Sequence, residues 1–290
     1  MQKLAVIDCG TNTFHLLVAE LSDEKYKILY KKQFPVKLGQ GGINQKFIHP
    51  DAFKRGIDAL KYFAQKIKEL EVNYLQAFAT SATRSANNGL EFENAVYNET
   101  GIKLSIIDGD REAELIFKGV QQAFPLGYEN VLTMDIGGGS VEFIIGNKES
   151  ILWKGSFNVG GARLVDMFHK TEPIAQSEIE ALNHFLDERL GTLKEAIQHY
   201  PITKLIGSAG SFDSICELIN SKFSSRLLQN NETWCEIPMQ RYVVIHNTLL
   251  MSTYRERLNM EGLAGYRVEM MVVSSCLIQY ILKTLGIKQM

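Results

Sequence analysis

Thr133-Met134-Asp135-Ile136-Gly137-Gly138-Gly139-Ser140-Val141-Glu142 is the stretch that decides the fold. An apolar run from Val131 ends in Asp135, three glycines and a serine follow, and Val141-Glu142-Phe143-Ile144-Ile145 resumes as a second apolar run. This pattern predicts strand, tight turn, strand. Three consecutive glycines cost backbone entropy, yet they let several N–H groups approach an anion closely. Asp135 at the strand end repels phosphate unless a divalent cation sits between them, so the stretch points to metal plus phosphate. A glycine-rich hairpin with no ligand is the alternative that the stretch leaves open by itself. Glu142 follows the loop at alternating spacing, either facing the same side as Asp135 or standing as a charge at a strand edge.

A second stretch has the same design. Lys3-Leu4-Ala5-Val6-Ile7-Asp8 is a strand ending in an acid, Cys9-Gly10-Thr11-Asn12-Thr13 is a small polar turn, and Phe14-His15-Leu16-Leu17-Val18-Ala19 begins the return strand. Two such hairpins, one opening each half of the chain, predict an internal duplication around a shared cleft. In these features the chain resembles the exopolyphosphatase/guanosine pentaphosphate phosphatase family, a branch of the actin-like ATPase superfamily in which two duplicated domains clasp a phosphate-bearing ligand. Asp8 to Thr13 resembles the family's first phosphate loop and Asp135 to Glu142 its second. The resemblance implies an α/β fold of two duplicated actin-like (ribonuclease H-like) domains with mixed central sheets and an interdomain cleft. Phe124-Pro125-Leu126-Gly127 marks the crossover, giving domains 1–124 and 125–290, with the terminal helix placed to pack back on the first.

Composition agrees without requiring this. The 290 residues are enough for one large or two medium domains, and 45% hydrophobic content supports substantial cores. With a formal charge of -2 there is no basic field for nucleic acid, so a polyanion has to be held by local cations, backbone N–H groups and metal. The N-terminus opens at once as a strand and lacks an export signal, and the apolar stretches fall short of a membrane span, which predicts a cytoplasmic protein without membrane association. Cys9, Cys216, Cys235 and Cys276 lie far apart in sequence without metal-like spacing and read as reduced, mostly buried thiols.

Further candidates follow in chain order. Lys37, before Gly39-Gln40-Gly41-Gly42, is either a surface lysine or, as the resemblance implies, a contact to a distal phosphate. His49-Pro50-Asp51 starts a helix with an apolar stripe at Ile57, Leu60, Phe63, Ile67 and Leu70. The strand Tyr74 to Ala79 ends at Thr80-Ser81-Ala82-Thr83-Arg84, where Arg84 is placed like a phosphate-binding guanidinium. Ile102 to Ile107 reads as a strand, and the turn Asp108-Gly109-Asp110-Arg111-Glu112-Ala113-Glu114 leads into a helix. Glu112 and Glu114 cannot share one helix face and should do different jobs. Glu112 matches the family glutamate that activates the attacking water, although Asp108 and Arg111 replace a serine and a glutamate of that pattern. Gly160-Gly161 either exposes N–H groups to ligand or makes a tight turn, and Arg163 is a weaker anion candidate. Ser177-Glu178-Ile179-Glu180 predicts a capped helix running towards Ala196. Thr203 to Ile206 predicts a strand, and in the following Gly207-Ser208-Ala209-Gly210-Ser211 the serine either caps the next helix or donates to phosphate. A loop with Asn230-Asn231, a helix from Pro238 to about Leu258, an Arg267 that either holds the domains together or contacts substrate, and a terminal helix complete the chain.

Together these assign Glu112 and Glu142 to catalysis and Asp8, Asp135 and Glu142 to Mg2+ or Mn2+. Phosphate is assigned to Thr11, Asn12, Thr13, Lys37 and Arg84 in the first half, and to Gly137, Gly138, Gly139, Ser140, Gly207, Gly210 and Ser211 in the second. The implied activity is Mg2+-dependent hydrolysis of the terminal phosphoanhydride of inorganic polyphosphate by a homodimer. Guanosine pentaphosphate is the alternative substrate, a non-catalytic polyphosphate or nucleotide sensor the rival class, and a sugar or metabolite kinase a third reading disfavoured by Arg84 and the Asp108 to Glu114 turn. Ending at Met290, the chain resembles the short form of the family, without its C-terminal helical domain.

Overall fold

The computed structural model describes residues 2–22, 25–228 and 232–290. Asn230 and Asn231 of the expected loop lie outside the described residues. The chain divides into two compact units, Met1–Asp108 and Gly109–Met290. This division precedes the Phe124-Pro125 turn, so the helix carrying Glu112 belongs to the second unit.

The first unit opens with β1 (Gln2–Cys9), β2 (Phe14–Ser22) and β3 (Lys25–Phe34), followed by α1 (Pro50–Glu69), β4 (Tyr74–Ala79), α2 (Ser81–Ser85), α3 (Gly89–Thr100) and β5 (Ser105–Ile106). Its sheet has the order β3-β2-β1-β4-β5, antiparallel among the first three strands and parallel thereafter. Alternation sends Ala5, Ile7 and Cys9 of β1 and Phe14, Leu16 and Val18 of β2 into the core, where Leu60 and Phe63 of α1 meet them. The expected strand from Ile102 shrinks to Ser105–Ile106, because Ile102 and Leu104 are buried as core contacts without joining a ladder.

The second unit runs α4 (Gly109–Ala123), β6 (Val131–Ile136), β7 (Val141–Gly146), β8 (Ile151–Phe157), α5 (Gly161–Phe168), α6 (Gln176–Arg189), α7 (Gly191–His199) and β9 (Leu205–Ser208), then α8 (Gly210–Phe223), α9 (Met239–Leu250), α10 (Tyr254–Leu258) and α11 (Met271–Thr284). The sheet order β8-β7-β6-β9 repeats the first, three antiparallel strands and then a parallel one. β7 is buried on both faces. Val141, Phe143 and Ile145 enter the main core with α11, whereas Ile144 packs on Ala113 and Phe117 of α4. Glu142 alternates with the first set, so it shares the α4 side of the sheet with Ile144.

Two helix expectations need correction. The helix read from Ser177 to Ala196 begins at Gln176 and breaks at Leu190 into α6 and α7. Ser177 does not cap it; Glu178 reaches back to accept from the N–H groups of Ala175, Lys170 and Thr171, which lie ahead of the helix. The helix from Pro238 ends at Leu250, and α10 restarts with Thr253 and Glu256 in reciprocal hydrogen bonds. No helix among the described residues is long and apolar enough to cross a membrane.

Candidate active site

The glycine loop of the second unit is a closed turn, the Gly137 N–H donating to the Ser140 carbonyl at 3.0 Å. Its other carbonyls are held from one side. The N–H groups of Gly161 and Ala162, at the start of α5, donate to the Gly137 and Gly138 carbonyls at 2.9 and 2.8 Å, and Arg163 Nε donates to the Gly139 carbonyl at 2.7 Å. In a trans peptide the C=O and the following N–H point in opposite directions. Engaging three successive carbonyls on the α5 side therefore turns the N–H groups of Gly138, Gly139 and Ser140 to the other side as a row of donors. The approach requires glycine at 160, where a Cβ would stand 2.5 Å from the Gly139 and Ser140 backbone. Of the two readings of Gly160-Gly161, the structure shows the tight turn, with the Gly161 N–H spent on the loop. Arg163, a minor anion candidate by sequence, is buried as the loop's brace.

Asp135 and Glu142 are cross-strand partners, directly opposite each other on β6 and β7. Like charges so placed repel. Glu142 is 1% exposed, and burial, then the charges of Glu112 and Asp135, push its carboxyl up to about 8 against the hydroxyls of Ser156 and Ser140. Asp135 is half-buried; desolvation raises it to about 6, opposed first by the Ser208 hydroxyl, while Glu112 and Asp213 add to the rise and Arg267 lowers it. Glu112, in the first turn of α4, is thus a close electrostatic neighbour of both. Glu114 is turned elsewhere, accepting from Lys154 Nζ at 2.5 Å and from Arg111 Nη1 at 3.1 Å, which ties α4 to β8.

The first unit carries a matching turn. Gly10 N–H donates to the Thr13 carbonyl at 3.1 Å, as Gly137 does to Ser140. Here too a later segment holds the carbonyls, with Lys37 N–H on Asn12 O at 2.8 Å and Gly39 N–H on Thr11 O at 3.0 Å. Lys37 is thereby brought beside Thr11 and Asn12. The N–H groups of Asn12 and Thr13 are turned away by the same peptide geometry. Thr80 N–H bonds the Cys9 carbonyl, which sets α2 against the end of β1, and Arg84 Nη1 donates to the Ile107 carbonyl at 2.9 Å. The hydroxyls of Thr11, Ser81 and Thr83 are buried with no hydrogen-bond partner among the described residues. Thr13 instead shares a hydrogen bond with His15 Nε2 at 2.9 Å, and Asp8 stands exposed opposite His15.

Around β9 the small residues have packing reasons. A Cβ at Gly207 would enter the Phe212 ring, and one at Gly210 would lie 1.5 Å from Arg267 Nη2. Ser211 does not cap α8, whose N-cap is Ala209; its hydroxyl donates to Ser274 Oγ at 3.3 Å. Beside Ser208 opens a cavity of about 900 Å³ walled by α4, β9 and α8, including Cys216 and Cys235, whose sulfurs lie 3.5 Å apart despite their separation in sequence. Sequence reasoning missed Ser156 and Ser208, the register partners of Glu142 and Asp135. Ser208 stands out as the polar end of the short run Leu205-Ile206-Gly207-Ser208, whereas β8 also carries Lys154, so polarity did not single out Ser156.

Among the described residues no three or more His, Cys, Asp or Glu side chains form a preformed metal cage. Mg2+ does not need one, since it binds through one or two carboxylates, waters and substrate phosphate. Carboxylates that drive one another's protonation upward, with hard oxygen donors only, fit such an ion.

The chain matches the Ppx/GppA phosphatase family over residues 17–290. It is 40% identical to an exopolyphosphatase from Cytophaga hutchinsonii, whose crystal structure superposes with a TM-score of 0.96 over 99% of this chain and 92% of that one. The Aquifex aeolicus Ppx/GppA family member, 21% identical, shares the fold with a TM-score of 0.79 over 100% of this chain and 92% of that one. A bifunctional 3-dehydroquinate synthase/phosphatase of Fusobacterium nucleatum is 40% identical over 172 residues, 57% of this chain and 26% of that protein's length. Two mixed-sheet units, each with a braced small-residue turn, and a family match across nearly the whole sequence place this chain in the Ppx/GppA phosphatase family.

Proposed function

We propose that this protein is an exopolyphosphatase, hydrolysing the terminal phosphoanhydride of inorganic polyphosphate and releasing orthophosphate. The observation that carries the proposal is the engagement of the Gly137, Gly138 and Gly139 carbonyls by α5, which by peptide geometry frees the N–H groups of Gly138, Gly139 and Ser140 for an anion beside Asp135, Glu142 and Glu112. The common strand order of the two sheets supports reading them as duplicated ribonuclease H-like folds.

Phosphoanhydride hydrolysis needs a positioned water, a base and neutralisation of charge, since the attack itself needs little covalent help. The N–H row donates to the oxygens of the scissile phosphate. Glu112 takes the proton of the attacking water, on a helix held in place by the Glu114–Lys154 pair. Glu142, oriented by Ser156 and Ser140, aligns that water, and Asp135 is held by Ser208. Asp135 and Glu142 are the residues that would hold Mg2+, which would supply the neutralising charge when bound. In the first unit, Arg84, Lys37 and the Thr11 to Thr13 turn bind further phosphates, which gives the buried Thr11 hydroxyl an acceptor.

Guanosine pentaphosphate presents the same terminal group and is the second substrate to try. Phosphate release from purified protein given long-chain polyphosphate or guanosine pentaphosphate with Mg2+ tests the proposal. Saturable binding of both without release would instead establish a sensor.

A further inference from the structure

Resting on that reading of the carboxylates, we infer that Ser156 is a positioning residue that sets Glu142 and Glu112 relative to each other through two separate contacts. The first is a hydrogen bond: Ser156 Oγ donates to Glu142 Oε1 at 2.6 Å. The second is steric. A Cβ at Gly109, the first residue of α4, would lie 2.3 Å from Ser156 Cβ and 2.6 Å from its Oγ, so the start of the helix rests directly on this side chain. Real Cβ atoms do not approach so closely, and glycine alone lets the helix sit at this depth.

The register explains why one side chain serves both. Glu142 pairs with Ser156 and Ile144 with Lys154, so Lys154 and Ser156 occupy one face of β8, the face that α4 covers. Lys154 holds α4 through Glu114 at 2.5 Å and Asp110 at 3.7 Å. Lys154 pulls the first turn onto the strand, and Ser156 stops it. Glu112 lies within that turn. A shift of the stop therefore moves the base relative to the carboxylate that the same hydroxyl orients, and misplacement of about 1 Å costs about 10²-fold in rate.

Four variants separate the two contacts: Ser156→Ala, Ser156→Gly, Gly109→Ala and the double Gly109→Ala/Ser156→Gly, each assayed for kcat and KM on long-chain polyphosphate with Mg2+. Ser156→Ala keeps the stop and removes one oxygen; kcat should fall about tenfold or more with KM nearly unchanged. Gly109→Ala should lower kcat about 10²-fold beside Ser156 and by much less in the Ser156→Gly background, where the obstructing side chain is gone. Wild-type kcat in Ser156→Ala, or equal damage from Gly109→Ala in both backgrounds, overturns the inference. If Gly109→Ala does not fold, Ser156→Ala decides it alone. Calorimetric titration with Mn2+ keeps the two readings apart. No phosphate release by the wild type would count against the hydrolase, while about tenfold weaker Mn2+ binding in Ser156→Ala would still support its positioning role and unchanged binding would refute it.

Discussion

Replacing Glu142 by Gln should change how the stability of the metal-free protein depends on pH. Its carboxyl, ordinarily near 4.5, stands at about 8 in the folded chain because it is buried opposite Asp135 and near Glu112. The unfolded chain thus gives up this proton as pH rises past 4.5, while the folded chain keeps it until about 8. Stability from this group is fully present below 4.5, declines through the interval and is lost above 8. A difference of 3.5 pH units, 8 less 4.5, corresponds to about 5 kcal/mol at about 1.36 kcal/mol per unit. Part of the repulsion belongs jointly to Asp135, so about 3–5 kcal/mol should vanish with Glu142→Gln, which keeps the shape and fixes the uncharged state. Urea unfolding with a chelator at pH 4 to 9 should give coincident stabilities at the acid end, and a variant more stable than wild type by that amount above pH 8. Parallel curves for the two proteins would refute the assignment of a buried, protonated Glu142.

Glu112→Gln should reduce single-turnover phosphate release by about 10²–10⁴-fold at saturating substrate while binding persists, and Glu114→Gln, which only loosens the tie to Lys154, should cost far less. Arg84→Ala should weaken phosphate binding measured by calorimetry, by about 1.5–3 kcal/mol for one charged hydrogen-bonded contact. Glu172→Ala should destabilise the second unit by about 2–3 kcal/mol in chemical denaturation, below the about 3–5 typical of broken buried pairs because Glu172 keeps 37% exposure beside the fully buried Arg257.

Both acid-plus-small-residue hairpins were legible because a strand, a glycine turn and a returning strand are local events, encoded in adjacent residues. The divergence of Glu112 and Glu114 was legible for the same reason, since helical geometry separates positions two apart. What holds the loops was not. The Gly139 carbonyl depends on Arg163, and Glu142 on Ser156 across a strand pair, contacts that only the folded sheet creates. Arg257 and Glu172, 85 residues apart, form bonds of 2.6 and 2.9 Å that no local pattern announces. The helix start at Gln176 escaped because Ala175 precedes it, and the capping work falls to Glu178, whose other partners come from before the helix. Gly207 and Gly210 look by composition like ligand glycines, yet Phe212 and Arg267 already account for their lack of a side chain.

Each turn closes with one backbone hydrogen bond of its own, and its remaining carbonyls are fastened by chain that follows it. Gly137 to Gly139 wait for Gly161 to Arg163, and Thr11 and Asn12 wait for Lys37 and Gly39. During synthesis, then, each loop emerges before its fastening, and a fragment truncated before Gly160 would contain the whole Asp135 to Glu142 motif but no ordered donor row. On the proposed function, phosphate affinity would then be a late property of the nascent second unit. A substitution at Gly160 or Arg163 can silence the loop while leaving every residue of its motif intact.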